Sequence, residues 1–401
     1  LTSELDTLAT FSDTPAPAVT RIVFSEADRA ARQWFKNLCA AANLTVREDA
    51  VGNTFARWIG SEPHLPAVGT GSHIDAIPHS GKYDGTVGVL GGLEAIRALQ
   101  QSGFQPRRSI EVLMFTAEEP TRFGIGCLGS RLISGVLDAG ADERLRDKQG
   151  STLAQVRAET GFTGSLDDVR LPSTYYDAFV ELHIEQGPLL ERDKIPLGVV
   201  NAIAAPASAR ITIEGEGGHA GAVLMPHRRD AFLAACELSL AIERAVKSTG
   251  STDTVGTVGI CEVFPGAINS IPSRVNMTSD VRDTDLARRD RALLQIDEAT
   301  REIAARRGVV ITSETINADA PCVCAPRVVE ALRTACSPLV FQDMVSRAYH
   351  DSLFMSRITQ AAMLFIPCRG GVSHRPDEYS SPESIATGVA VLAQTLKTLA
   401  S

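Results

Sequence analysis

Four short apolar runs in this chain each lead to a histidine or an acidic residue, and that recurrence restricts the fold more than any other feature. Residues 67–72 precede His73 and Asp75, 110–115 precede Glu118 and Glu119, 178–180 precede His183, and 363–366 lie ahead of His374. A fifth position, Asp84, sits in the turn Gly81-Lys82-Tyr83-Asp84-Gly85. Runs of this length and composition read as buried strands, and the ends of strands are where open α/β sheets place their ligands. A single His or Glu after a strand is usually a solvated loop residue. The joint occurrence of seven (His73, Asp75, Asp84, Glu118, Glu119, His183 and His374) points to one two-metal hydrolase site.

At 401 residues the chain exceeds the size at which one core stops growing, so two domains are expected. From 25 to 42 apolar residues recur at helical spacing, with Ser25 as N-cap. Strand-like runs at 51–58, 66–72 and 109–115 alternate with a Gly-rich helix over 86–101, which predicts an α/β domain with a mixed sheet covered by helices. The polar stretch 140–175 reads as surface structure. A second unit begins near 207: strand 209–214, helix 228–247, strands 253–264 and 275–283, helix 285–307 and strand 309–316. That is the ferredoxin-like βαββαβ order. The first domain resumes with a strand at 361–367 and a closing helix at 382–399, so the expected division is 1–206 with 321–401 for the catalytic domain and 207–320 for an inserted domain.

The net charge of −9 argues against nucleic acid or an anionic membrane surface as partner, and no apolar run reaches the roughly 20 residues of a membrane span. An anionic substrate therefore needs a local positive site. The first residue is Leu1, so localisation stays open. The eight cysteines lack paired metal spacing and read mainly as buried thiols.

Within the constellation, His73 and Asp75 lie two apart on one side of an extended segment, so Asp75 is expected to hold the His73 nitrogen that faces away from metal. Asp84, in its turn of small residues, is placed to bridge two cations. Glu118 and Glu119 point different ways as their strand ends, which makes Glu118 the base and Glu119 a ligand. His183 completes one metal and His374 the other.

Together with Gly217-Gly218-His219-Ala220-Gly221 and Glu181-Leu182-His183-Ile184-Glu185-Gln186-Gly187, these motifs resemble, over nearly the whole chain, the amidohydrolase branch of the aminoacylase and carboxypeptidase G superfamily. That branch acts on allantoate, N-carbamoyl-L-amino acids and ureidoglycolate. The resemblance implies that His73, Asp84 and His183 hold one metal, that Asp84, Glu119 and His374 hold the other, and that Glu118 is the general base. It implies two Mn²⁺ per subunit rather than Zn²⁺; one imidazole per metal among oxygen ligands suits either ion and leans toward the harder. It also implies a homodimer through the inserted domain. Residues 346–355, 365–368 and 374–383 are most similar to the ureidoglycolate-hydrolysing members, whereas allantoate enzymes carry Gly where this chain has Tyr349.

The expected substrate is thus a small anionic ureide, ureidoglycolate, with allantoate or an N-carbamoyl-L-amino acid as the alternative under the same mechanism. His219 is expected as an oxyanion donor, or else as a turn cap; family precedent brings it from the partner subunit. Arg282 is expected to clamp the substrate carboxylate, with a structural ion pair to its acidic neighbours as the other reading. Gln186 and Asn269 are candidates for reading the ureide or carboxylate, and Tyr349 with His350 for specificity. Closure of the inserted domain, hinged near 207 and 320, is expected. A plant-type member would reside in the endoplasmic reticulum, any other in the cytoplasm.

Overall fold

Seven strands of the main sheet explain why the apolar runs end where they do. In this computed structural model, which describes residues 1–401, those strands lie in the order Leu197–Ile203, Gln360–Ile366, Tyr176–Ile184, Ala67–His73, Ile110–Phe115, Thr54–Trp58 and Thr45–Glu48. Gln360–Ile366, Tyr176–Ile184, Ala67–His73 and Ile110–Phe115 are parallel, and the remaining three are antiparallel to their neighbours. Both Ala67–His73 and Ile110–Phe115 are buried at every position. Strands covered on both faces carry continuous apolar runs in place of alternation, which is the pattern read from the sequence.

One face is covered by the helices Thr86–Gln101 and Pro382–Ala400, packed against each other and on the central strands. The glycines of the first helix let it come close. A Cβ at Gly88 would strike the Leu182 carbonyl oxygen and stand 2.7 Å from the Ser72 Cβ. The helix Glu26–Ala41 starts where expected, with the Ser25 side chain accepting from the Asp28 amide. The stretch 140–175 differs from the expectation of surface structure. It forms short helices whose Ala141, Leu153, Val156, Leu166 and Val169 join Phe55, Phe115 and Phe179 in a core cluster. Its apolar residues are too irregularly spaced to show periodicity, yet they bury.

The chain separates into two compact units, 1–201 with 324–344 and 350–401, and 202–323 with 345–349. The observed breaks at 202 and 323 lie within five residues of the expected 207 and 320, and the strand entering the smaller unit runs Ala205–Glu214, longer than its alternating segment. In the smaller unit the sheet order is Val255–Thr257, Arg274–Asp283, Ala205–Glu214 and Val310–Ala318, with Cys261–Phe264 also paired to Arg274–Asp283. The expected 253–264 strand is therefore two short ones. Helices Ala231–Ser248 and Leu286–Arg307 pack on this antiparallel sheet around Ile213, Leu238, Ile242 and Val275. No helix is long and apolar enough to cross a membrane.

Candidate metal centre

The four parallel strands deliver the site from their C-terminal ends. His73 is the last residue of its strand, and Glu118 and Glu119 follow Phe115 by a sharp turn at Ala117 (φ 54°). His374 follows Ile366 by eight residues, also at positive φ (59°). His183 is the penultimate residue of its strand, Tyr176–Ile184, where it is fully buried. Asp84 immediately precedes Gly85, the N-cap of the helix Thr86–Gln101.

Asp84 faces both halves of the cluster. Its Oδ1 lies 3.1 Å from His183 Nε2 and 3.6 Å from His73 Nε2, while its Oδ2 lies 3.1 Å from His374 Nε2. Glu119 Oε1 is 3.2 Å from the same His374 nitrogen. Two ligands of one cation with bonds of about 2.1 Å stand about 3.0 to 3.4 Å apart, so all but the His73 separation match and that one is close. Two sets of donor atoms, one from His73, Asp84 and His183 and one from Asp84, Glu119 and His374, each converge within 4.8 Å. The electrostatics agree. Despite burial, the imidazoles of His183, His374 and His73 hold the Asp84 carboxyl well below its ordinary range. Asp84 and Glu119 raise His374 to about 11. The donor set, three imidazoles with carboxylates and no thiolate, suits divalent cations.

The second nitrogens of the ligand histidines are occupied. His183 Nδ1 is 2.9 Å from the Ile184 carbonyl oxygen and His73 Nδ1 is 3.0 Å from that of Asp75, which directs Nε2 inward in both. The Asp75 carboxylate was expected to hold His73, but its Oδ1 is 3.6 Å from Nδ1. It accepts instead from the amides of Glu118 (3.2 Å) and Glu119 (3.0 Å) and so orients that turn. The structure gives the His73 contact to the Asp75 carbonyl because that is the acceptor the extended backbone points at the ring.

Glu118 is buried with Oε2 3.7 Å from His73 Nε2 and Oε1 accepting from the Cys127 thiol at 3.4 Å. Burial raises its pKa well above the ordinary value, reinforced by Glu119, although His73 opposes the shift. Gln186, also at positive φ (56°), donates from Nε2 to Asp84 Oδ2 at 2.8 Å, and its buried Oε1 has no hydrogen-bond partner. A buried amide oxygen without a donor is costly unless something else in the cavity meets it. His350, expected to contact substrate, is 2% exposed and packs edge-on against His183 with centroids 4.5 Å apart. It backs a ligand ring, a position that follows from its place at the start of the buried helix Asp351–Met355.

In the smaller unit, Gly218–His219 pairs antiparallel with Ser270–Ile271, and the Ala220 amide donates to the Asn269 carbonyl at 2.9 Å, so His219 and Asn269 share one exposed ribbon. The Gly221 amide donates to His219 Nδ1 at 3.1 Å, which leaves Nε2 as the hydrogen-bearing nitrogen of the neutral ring. Arg282 is half-buried and paired with Asp280, Nε to Oδ1 at 2.7 Å, while its Nη1 reaches the Arg347 carbonyl at 3.4 Å. The guanidinium is held by its acidic neighbour and retains further N–H groups. Tyr349 is half-buried at the end of the segment 345–349.

Three supporting groups were not singled out from the sequence. Glu181, fully buried, accepts from Ser72 Oγ at 2.7 Å and from the Ser352 amide at 3.1 Å. Asp351 accepts from Ser130 Oγ. Glu378 accepts from both the Asp84 and His374 turns. Only a polar residue within an apolar run, as at Glu181, hinted at any of them.

A mixed-sheet domain with two carboxylate–imidazole clusters that share one aspartate and fit cations, and a buried glutamate beside them, defines a metal-dependent amidohydrolase acting on C–N bonds. The profile of peptidase family M20/M25/M40 matches residues 69–398, and the chain belongs to that family. It is 53% identical to the ureidoglycolate hydrolase of Arabidopsis thaliana over 408 aligned residues, covering 100% of this chain and 86% of that one. It is 34% identical to the allantoate amidohydrolase of Escherichia coli, covering 98% and 96%. Among solved structures, AtUAH in complex with (S)-hydroxyglycine superposes with a TM-score of 0.92 at 52% identity, covering 100% of this chain and 96% of that one.

Proposed function

We propose that this protein hydrolyses ureidoglycolate, releasing ammonia and CO₂ and giving hydroxyglycine that decays to glyoxylate. The observation that carries the reaction type is Asp84, whose two oxygens face two separate imidazole sets. The substrate is supported by similarity to the ureidoglycolate hydrolases and to AtUAH structures holding (S)-hydroxyglycine and glyoxylate. Allantoate and N-carbamoyl-L-amino acids are the second reading, favoured by relatives at 34–38% identity and disfavoured by Tyr349.

A ureido carbon is a poor electrophile because two nitrogens feed electron density into it. Two divalent cations, when bound, polarise that carbonyl and lower the pKa of water from about 15.7 toward about 7. We assign manganese to both positions, held by His73, Asp84 and His183 and by Asp84, Glu119 and His374. Glu118 takes a proton from the attacking water and passes it to the departing nitrogen, a role that fits its buried carboxylate beside the ligand His73. Asp75 holds the amides on either side of that step in place. His219 Nε2–H is the donor to the developing oxyanion, delivered across a homodimer of the inserted domain. Arg282 and Asn269 take the substrate carboxylate, Gln186 offers its free carbonyl to a ureide N–H, and Tyr349 sets substrate size.

The test is release of ammonia and glyoxylate by chelator-stripped protein with and without manganese, on ureidoglycolate, allantoate and an N-carbamoyl amino acid in parallel. Manganese-restored turnover confined to ureidoglycolate is expected. Preference for either other ureide overturns the substrate assignment, and inactivity on all three overturns the reaction.

A further inference from the structure

The two cation positions are supported differently, and one carboxylate makes the difference. His73 and His183 are residues of buried strands. His374, in contrast, stands in a turn with 46% of its side chain exposed, yet its Nε2 must meet Asp84, which belongs to a turn far away in sequence. Glu378 ties these two turns together. Its Oε1 accepts from the amides of Tyr83 (2.8 Å) and Asp84 (3.0 Å). Its Oε2 accepts from the His374 amide (3.3 Å) and lies 3.0 Å from Ser373 Oγ, whose one hydrogen is shared with Asp84 Oδ2 at 2.9 Å. The side chain is 4% exposed, and the Asp84 turn is shaped around it: a Cβ on Gly81 would come within 2.6 Å of the Glu378 carboxyl carbon.

We propose that Glu378 is the positioning residue for the cation shared by Asp84, Glu119 and His374. It touches neither the cation position nor substrate. By accepting backbone amides from both turns it sets the 3.1 Å separation of Asp84 Oδ2 from His374 Nε2. The other position, with its histidines anchored in the sheet, does not depend on it to the same degree. This proposal rests on the two-cation reading above.

The test uses metal-stripped full-length protein titrated with Mn²⁺ alone, with bound equivalents counted after equilibrium dialysis, for wild type, E378Q and E378A. In E378Q the amide oxygen can still accept from Tyr83 and Asp84, but the NH₂ group meets the His374 N–H, so the loss falls on the His374 turn. Outer partners of metal ligands are worth about 10- to 100-fold in affinity. The expected result is one equivalent at wild-type affinity and one weakened by about that factor in E378Q, with turnover largely recovered at saturating Mn²⁺. E378A should weaken the same equivalent at least as much. Two equally weakened equivalents, or none weakened, in E378Q whose circular dichroism matches wild type would overturn the proposal. A wild type that binds fewer than two equivalents would overturn it too, but by removing the two-cation reading, and that outcome is recognisable without any variant.

Discussion

Replacing Gly85 with alanine should empty the first cation position while leaving the fold in place. Gly85 has φ 66° and caps the helix Thr86–Gln101, and a Cβ built there lies within 2.6 Å of the ring atoms Cδ2, Nε2 and Cε1 of His73. Ordinary contact begins near 3.4 Å, so either the ring or the turn must move by roughly 1 Å. The ring has nowhere to retreat. It is 2% exposed, and its Nδ1 is tied to the Asp75 carbonyl at 3.0 Å. Metal sites tolerate departures of about 0.2 Å in ligand distance, and a misplacement of about 1 Å can cost about 100-fold in rate. At φ 66° and ψ −44° the backbone is one that residues with a Cβ rarely adopt, which adds about 1 to 3 kcal/mol of strain. Gly103 separates these effects. It has φ 75° just beyond the same helix, with nothing within 4 Å of its Cβ position. Metal analysis after gel filtration, together with turnover at limiting Mn²⁺, should show G85A short of one equivalent and at least about 100-fold slower. G103A should show only the strain, as a lower unfolding midpoint. If G85A retained two equivalents and normal turnover, or if G103A lost activity equally, the argument from ring contact would be wrong.

Glu118→Gln keeps the shape of the side chain and should retain both cation equivalents while turnover falls by about 10²- to 10⁴-fold; undiminished turnover would remove Glu118 from proton transfer. Tyr349→Gly should raise allantoate turnover relative to ureidoglycolate, measured as the ratio of kcat/KM, and an unchanged ratio would refute the role given to Tyr349. In the inserted domain, Arg307 and Arg306 hold Glu237 down to about 2 against an ordinary value of 4.5. A depressed carboxyl stabilises the fold above the unfolded value and loses that contribution as pH falls through the folded one. Urea unfolding should therefore show E237Q less stable than wild type near neutrality by at most about 1 kcal/mol, since the groups are partly solvated. The gap should narrow only as pH falls from 4.5 toward about 2; a gap that widens on acidification would contradict the pairing.

How far the site was legible follows from what each residue's role depends on. His73, Glu118, Glu119 and His374 could be found because a strand buried on both faces leaves a continuous apolar run whose end marks the sheet's edge, and Asp84 by the turn of small residues around it. His183 was found by the same signal although it lies inside its strand, because Glu181 and His183 are polar positions that the sheet buries. The division of labour at Asp75 was not legible. Whether its carboxylate or its carbonyl meets His73 depends on where the Glu118–Glu119 turn comes to rest, a contact across 43 residues. Likewise His350 reads as a surface for substrate next to Tyr349, and only packing puts it behind His183.

Order along the chain, the ferredoxin-like insertion and the chemical character of the cluster were determined by sequence alone, since they rest on periodicity, capping and residue type, all of which are local. The tertiary structure decided which atoms share a cation, that Glu378 meets the Asp84 amide across 294 residues, and that the core reaches into the irregular stretch 140–175. Those outcomes arise from side chains packing at long range, where a hydrogen bond is set by the position of two backbones that no local pattern specifies.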